Sequence, residues 1–219
     1  MAGKESFSNL IREKTYGYWE PLYNAGRLLC TAYFRAVMNV DVKGAHYIPR
    51  EGPFAIYSNH MTVYDPPILG HTFTRKVHYM GKKELFKIPG LNQLIRLLGC
   101  FPVDRENPSS ETLKEIAKIM EADEGFIMFP QGTRKFGKNI AVEQFQPLMA
   151  RFLLKQAKKR KKNIAIVPAY VDYFAHGTNV RFSEPFYTQD FLPADRNTPD
   201  RLTQLIAKEV INLSKLRFD

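Results

Sequence analysis

Residues 54–67 read FAIYSNHMTVYDPP. The stretch begins with a near-continuous apolar run, Phe54 to Ser58, of strand length. A continuous run, unlike an alternating one, predicts a strand covered on both faces. It stops at two polar residues, Asn59 and His60. Asp65 followed by Pro66 then reads as a helix start, an N-cap aspartate with proline in the first turn. Strand, short loop and helix follow one another in fourteen residues, the repeating unit of an α/β domain.

The same alternation extends in both directions. Strand-length apolar runs recur at Val40–Val42, Val77–Met80, Phe101–Val103, Phe126–Phe129 and Ile164–Val171. Helical periodicity falls between them. Ser109 opens a segment with Leu113, Ile116, Ala117 and Met120 on one stripe, and Phe152, Leu153, Gln156 and Ala157 form another. Thr198 and Pro199 open a last helix carrying Leu202, Leu205, Ile206, Leu213 and Leu216. Alternating strands and helices predict a single α/β domain over residues 39–219, with a largely parallel mixed sheet flanked by helices. In such sheets chemistry collects at the carboxyl ends of the strands. Residues 1–38 are expected to form an amphipathic helical segment ahead of it. There Tyr16, Tyr18, Trp19, Tyr23, Tyr33 and Phe34 are interleaved with Lys14, Arg27 and Arg35. That mixture suits a helix lying among lipid headgroups and equally a terminal helix docked on its own domain.

Composition narrows the partners. Thirty-two Lys and Arg against 22 Asp and Glu give a net charge of +10, which suits an anionic partner without choosing among lipid, nucleic acid, phosphorylated substrate and acidic protein. Five of the cationic residues are the run Lys158–Lys162, as compatible with a solvated helix end as with a binding patch. Two cysteines, Cys30 and Cys100, do not make a disulfide framework. No run approaches the ~18 apolar residues of a spanning helix.

Several strand exits carry polar chemistry. Across a four-residue loop, Asp65 can reach back to the ring of His60, fix its tautomer and leave the other nitrogen free to take a proton. A pair at that spacing is weak by itself; His46 and Glu51 form another, in a turn-like stretch. Lys82 follows the run Val77–Met80, Arg105 closes GCFPVDR, and Arg134 closes FPQGTR. Gly132 permits close backbone approach there, and each arginine offers a planar fork for phosphate or carboxylate. Four strand ends thus present His60 with Asp65, Lys82, Arg105 and Arg134.

In order, NHMTVYD, GCFPVDR, FPQGTR and IVPAY resemble the four sequence blocks of the 1-acyl-sn-glycerol-3-phosphate acyltransferases, and KKEL (82–85) is similar to a further element between the first two. The resemblance spans residues 40–171 and implies residue roles. His60 is then the general base and Asp65 its orienting carboxylate. Arg105 and Arg134, with Lys82, hold the acceptor's phosphate. Gln131, Gly132 and Thr133 border the glycerol, and Pro168 shapes the acyl-donor side. No metal or bound cofactor is implied. Acyl-CoA or an acyl carrier protein thioester is the co-substrate, a lysophospholipid the acceptor, and an anionic membrane the surface, with the enzyme peripheral or monotopic on the cytoplasmic face. No nucleic-acid partner is expected.

Two departures stand out. The third block of that family usually reads FPEGTR, and here Gln131 replaces the glutamate; a neutral amide accepts and donates hydrogen bonds but is no base. FQPLMA (145–150) replaces a small, Gly-containing segment. Three other readings stay open: acylation of glycerol 3-phosphate or another lysophospholipid, thioester hydrolysis with Cys100 as nucleophile and His60 as base, and a nucleic-acid module built on the basic run.

Overall fold

The computed structural model describes residues 20–103, 110–134 and 140–216. Among them, eight strands form one sheet: β1 (Val40–Lys43), β2 (Phe54–Ser58), β3 (Val77–Lys82), β4 (Cys100–Val103), β5 (Gly125–Met128), β6 (Ala165–Phe174), β7 (Gly177–Phe182) and the short β8 (Phe186–Tyr187). Their order is β1-β7-β6-β2-β5-β3-β4, with β8 paired to β6. The block β6-β2-β5-β3-β4 is wholly parallel, whereas β7 and β8 run antiparallel to β6. β1 pairs parallel to β7. The expected mixed, mainly parallel sheet is what forms.

Helices cover both faces. All five residues of β2 are buried, and their alternation splits the core in two. Ala55 and Tyr57, with Phe126 and Met128 of β5, face α4 (Ser110–Glu121), α5 (Leu148–Arg160) and α6 (Thr198–Lys215), the last giving Leu202, Ile206 and Val210. Phe54 and Ile56 face the other way, toward Phe34 of α1 (Glu20–Met38) and Ile68 and Leu69 of α2 (Asp65–His71). A further short helix, α3 (Leu91–Leu97), leads into β4.

The structure extends and corrects several expectations. β6 runs to Phe174 and turns straight into β7, a hairpin that apolar runs alone did not reveal. Asp65 is the first residue of α2, not its cap, and the preceding Tyr64 makes no side-chain cap bond. The reason lies in the sequence. A capping aspartate needs N–H groups in the first turn, but Pro66 and Pro67 have none and the Ile68 N–H is taken by the Tyr64 carbonyl at 2.9 Å. A seven-residue helix is not stable by itself. Complete burial of Ile68 and Leu69, worth about 1.5–3 kcal/mol each, anchors it and frees the Asp65 carboxylate for other partners.

The first helix docks on the domain through one face. Tyr23 and Phe34 are buried against the domain, and the Tyr23 hydroxyl accepts from the Val77 N–H at 3.2 Å. On an adjoining face Leu22, Leu29, Tyr33 and Val37 are 36%, 72%, 54% and 63% exposed, and their spacing places them on one stripe. Tyr16, Tyr18 and Trp19 lie outside the described residues. No helix among the described residues is long and apolar enough to cross a membrane.

Candidate active site

The sheet aligns its carboxyl ends along one edge. β2, β5, β3 and β4 are consecutive neighbours, and adjacent strands lie about 4.8 Å apart. Their exits therefore bring His60, the turn 129–134 and Lys82 to the same edge, in that order. Arg105 lies outside the described residues, two positions beyond Val103, which pairs with Lys82.

The exit of β2 is tied to β6 by a side chain acting as backbone. The parallel ladder ends at Ser58 opposite Ala169. Beyond it, the Asn59 amide nitrogen donates to the Val171 carbonyl and its oxygen accepts from the Val171 N–H, both at 2.8 Å. Asn59 is buried and so are its bonds, which hold the next residue at a fixed height on the edge.

That residue is His60, 6% exposed. Its Nδ1 lies 2.7 Å from Asp65 Oδ2, and its ring stacks on Phe129 with centroids 4.2 Å apart and planes 19° from parallel. Asp65 is completely buried. Its Oδ2 also accepts the backbone N–H groups of Met61 at 2.6 Å and Thr62 at 2.9 Å. Its Oδ1 accepts the Tyr173 hydroxyl at 2.5 Å and lies 3.1 Å from Thr62 Oγ1. Backbone N–H groups and a phenol compel the carboxylate to act as acceptor. The ring proton of His60 accordingly sits on Nδ1, and Nε2 keeps the lone pair. Burial and the neighbouring Asp65 charge push the Tyr173 phenol far above its ordinary range, so it remains a donor.

Gln131, expected to border the glycerol, is bonded to two groups of the protein. Its Oε1 accepts the His60 backbone N–H at 3.2 Å, and its Nε2 donates to Gln144 Oε1 at 2.8 Å. The amide thus ties the exit of β5 to the exit of β2, and both its ends are engaged within the protein. Gly132 has φ +69°, and a Cβ there would meet no heavy atom within 4 Å. Its N–H donates to the Phe129 carbonyl at 3.0 Å, closing the turn with open space above the backbone. Thr133, Arg134 and Lys82 are exposed. Neither cation forms an ion pair with a described residue. Tyr173, Thr62, Phe129 and Asn59 were not singled out from the sequence as parts of this site.

Two other features fall on the opposite edge. The run Lys158–Lys162 ends α5 just before β6 begins. Arg160 pairs with Glu121 at 2.6 Å and Lys162 with Asp123 at 2.7 Å. Cys100 opens β4, where the strand enters the sheet, and is 3% exposed. Burial pushes its thiol up to about 12, which opposes thiolate formation and, with its position, a nucleophilic role beside His60.

Known proteins share this arrangement in part. A 1-acyl-sn-glycerol-3-phosphate acyltransferase of Bacillus subtilis is 34% identical over 96 residues, 43% of this chain and 48% of that protein. A lyso-glycine lipid O-acyltransferase of Bacteroides thetaiotaomicron is 28% identical over 155 residues, 64% of this chain and 53% of that protein. Each match spans about half the length of the relative. The crystal structure of the 1-acyl-sn-glycerophosphate acyltransferase PlsC from Thermotoga maritima superposes with a TM-score of 0.67, covering 91% of this chain and 80% of that one at 21% identity, a likeness of fold. The family model described as Acyltransferase matches residues 39–172, from the first strand to the strand that supplies Val171 and Tyr173, and the chain belongs to the acyltransferase family.

Proposed function

We propose that the chain moves a fatty acyl group from an acyl thioester to the free hydroxyl of 1-acyl-glycerol 3-phosphate, giving phosphatidate. The observation that carries this is the buried His60–Asp65 pair at a strand exit, with Nε2 left basic, on the same edge as Lys82 and Arg134. In the reaction, His60 Nε2 removes the acceptor's hydroxyl proton as that oxygen attacks the thioester carbonyl carbon. The C–O bond forms, the carbonyl electrons collect on its oxygen, and their return breaks the C–S bond. The thiolate leaves and takes the proton from the imidazolium. Asp65 stabilises the imidazolium while it exists. Arg134, Lys82 and Arg105 hold the phosphate, and Gly132 and Thr133 border the glycerol. The names of the relatives support acyl transfer to a lysolipid, and the Bacteroides relative keeps acceptors other than lysophosphatidate as the second reading.

The direct test is purified protein with labelled lysophosphatidate, supplied in turn with acyl-CoA and an acyl carrier protein thioester, and with glycerol 3-phosphate as competing acceptor. No product from lysophosphatidate with either donor would end the proposal. Arg134→Ala should raise the KM for lysophosphatidate at least about tenfold, since one charge-assisted bond is worth roughly 1.5–3 kcal/mol. An unchanged KM would remove Arg134 from the phosphate site.

A lysolipid has to be met at a bilayer, and α1 supplies a surface for it. Its outer stripe of Leu29, Tyr33 and Val37 suits the headgroup boundary of an anionic, cytoplasmic leaflet. Val63 and Tyr64, 59% and 49% exposed on the loop between His60 and Asp65, add apolar surface beside the site. Deleting the whole segment would also strip Tyr23 and Phe34 from the core. Replacing Leu29, Tyr33 and Val37 with Gln keeps the buried Tyr23 and Phe34, at the loss of the Tyr33 ring contact with Phe34. Sedimentation with anionic liposomes should fall more than tenfold, with the melting temperature little changed. Undiminished sedimentation would contradict a lipid role for this face.

A further inference from the structure

We propose that Tyr173 is a positioning residue for the His60–Asp65 pair: its hydroxyl holds the carboxylate from a second strand, so that Oδ2 stays aimed at His60 Nδ1. The inference rests on the acyl-transfer reading for its kinetic consequence but not for its geometry. The donors to Asp65 divide by origin. The His60 ring, the Met61 and Thr62 N–H groups and the Thr62 hydroxyl all belong to the loop that Asp65 itself closes. The Tyr173 hydroxyl comes from β6, 108 positions away, at 2.5 Å. Donors within a loop move with it and cannot fix where it sits on the edge. Tyr173 can, because it stands two residues beyond Val171, whose peptide group is already bonded to Asn59. Those two contacts pin both ends of the turn 59–65 to one strand.

Two hydroxyls and one carboxylate oxygen form a triangle. Thr62 Oγ1 and the Tyr173 hydroxyl oxygen are 2.9 Å apart, and each reaches Asp65 Oδ1. The Tyr173 proton goes to the carboxylate, and the single Thr62 proton is shared between Oδ1 and the Tyr173 oxygen. Oδ1 thereby shares its charge with a phenol that stays protonated, while Oδ2 meets three N–H donors. Among the described residues, His60 and Tyr173 are the titratable groups bonded to Asp65. Losing the phenol proton would leave more charge on the carboxylate and a softer hold on its orientation. The first effect favours imidazolium; the second lowers the fraction of turnovers begun in the right geometry.

Tyr173→Phe removes only the hydroxyl. The expected result is a kcat about tenfold lower with both KM values within about twofold, and an acid limb of the rate profile displaced to higher pH. Nitrogen-15 NMR of the His60 ring provides a readout that needs no turnover. In the wild type it should show a hydrogen-bonded proton on Nδ1, and in Tyr173→Phe that proton resonance should shift or broaden. A folded Tyr173→Phe protein with unchanged kcat, pH profile and ring spectrum would overturn the proposal. An altered ring spectrum in a protein with no acyl transfer at all would sustain the positioning role and sink the acyl-transfer reading instead. Should Tyr173→Phe fail to fold, Thr62→Val provides the contrast: the Tyr173 hydroxyl still holds Oδ1, so kcat, pH profile and ring spectrum should stay close to wild type, and a tenfold loss of kcat there would overturn the proposal.

Discussion

Replacing His60 with alanine is expected to lower acyl transfer by about 10³-fold, within the usual range of a lost general base, while the protein remains folded. The stability half follows from the contacts. His60 supplies one of the donors to Asp65 and one stacking partner to Phe129. Without the ring, Asp65 keeps two backbone N–H groups and the Tyr173 hydroxyl, so its charge stays solvated by the protein. The backbone N–H of residue 60 still reaches Gln131, and Asn59 still holds β6. The cost should be about 1–2 kcal/mol, visible as a modest fall in melting temperature. The activity half follows from the proton. A glycerol hydroxyl is a poor nucleophile until its proton leaves, and no other described side chain at this edge combines a bare nitrogen with a buried carboxylate. Near-wild-type turnover by the alanine variant, measured with lysophosphatidate and the preferred thioester, would refute the mechanism.

How much of this was legible beforehand depends on the range of each contact. His60 and Asp65 lie five positions apart, and a strand followed by a short loop and a proline-opened helix brings them together without any knowledge of the sheet. The same local logic yielded the strand ends carrying Lys82 and Arg134. What local pattern could not supply is strand order. Gln131 bridges to His60 only because β5 lies beside β2, and Tyr173 reaches Asp65 only because β6 lies on the other side. Both contacts came only with the structure: Gln131 as a bridge between strand exits, and Tyr173 as a partner of Asp65. The β6–β7 hairpin escaped for a related reason. Residues 172–179 include Asp172, His176, Thr178 and Asn179, too polar for an apolar run. Even so, Thr178 and Asn179 are buried, where β7 is flanked by β6 and β1. The proline pair was misread in the opposite sense, since it marks the start of α2 but denies Asp65 the donors of a cap.

Asp65→Asn separates charge from geometry, and the structure says which way the amide must lie. Its oxygen has to occupy the Oδ2 position, because the Met61 and Thr62 N–H groups can only donate and would oppose an NH2 group there. The NH2 group then takes the Oδ1 position, facing two hydroxyls, Tyr173 and Thr62, which can rotate to accept. The amide oxygen still accepts the two backbone N–H groups and the His60 Nδ1 proton, so the tautomer with a bare Nε2 survives, while one hydroxyl proton loses its acceptor. The main loss is the negative charge. The imidazolium formed as the hydroxyl is deprotonated then lacks its counter-charge in a buried setting, where such a charge counts for far more than in water. A fall in kcat of about 10²-fold is expected, with KM values and melting temperature close to wild type. Asp65→Ala provides the contrast. It leaves two buried N–H groups without their acceptor at about 1–3 kcal/mol each, so it should lose stability as well as activity. Full activity in the asparagine variant would mean that Asp65 merely shapes the turn; equal losses of activity in the two variants would mean that charge alone, not geometry, is what the carboxylate contributes.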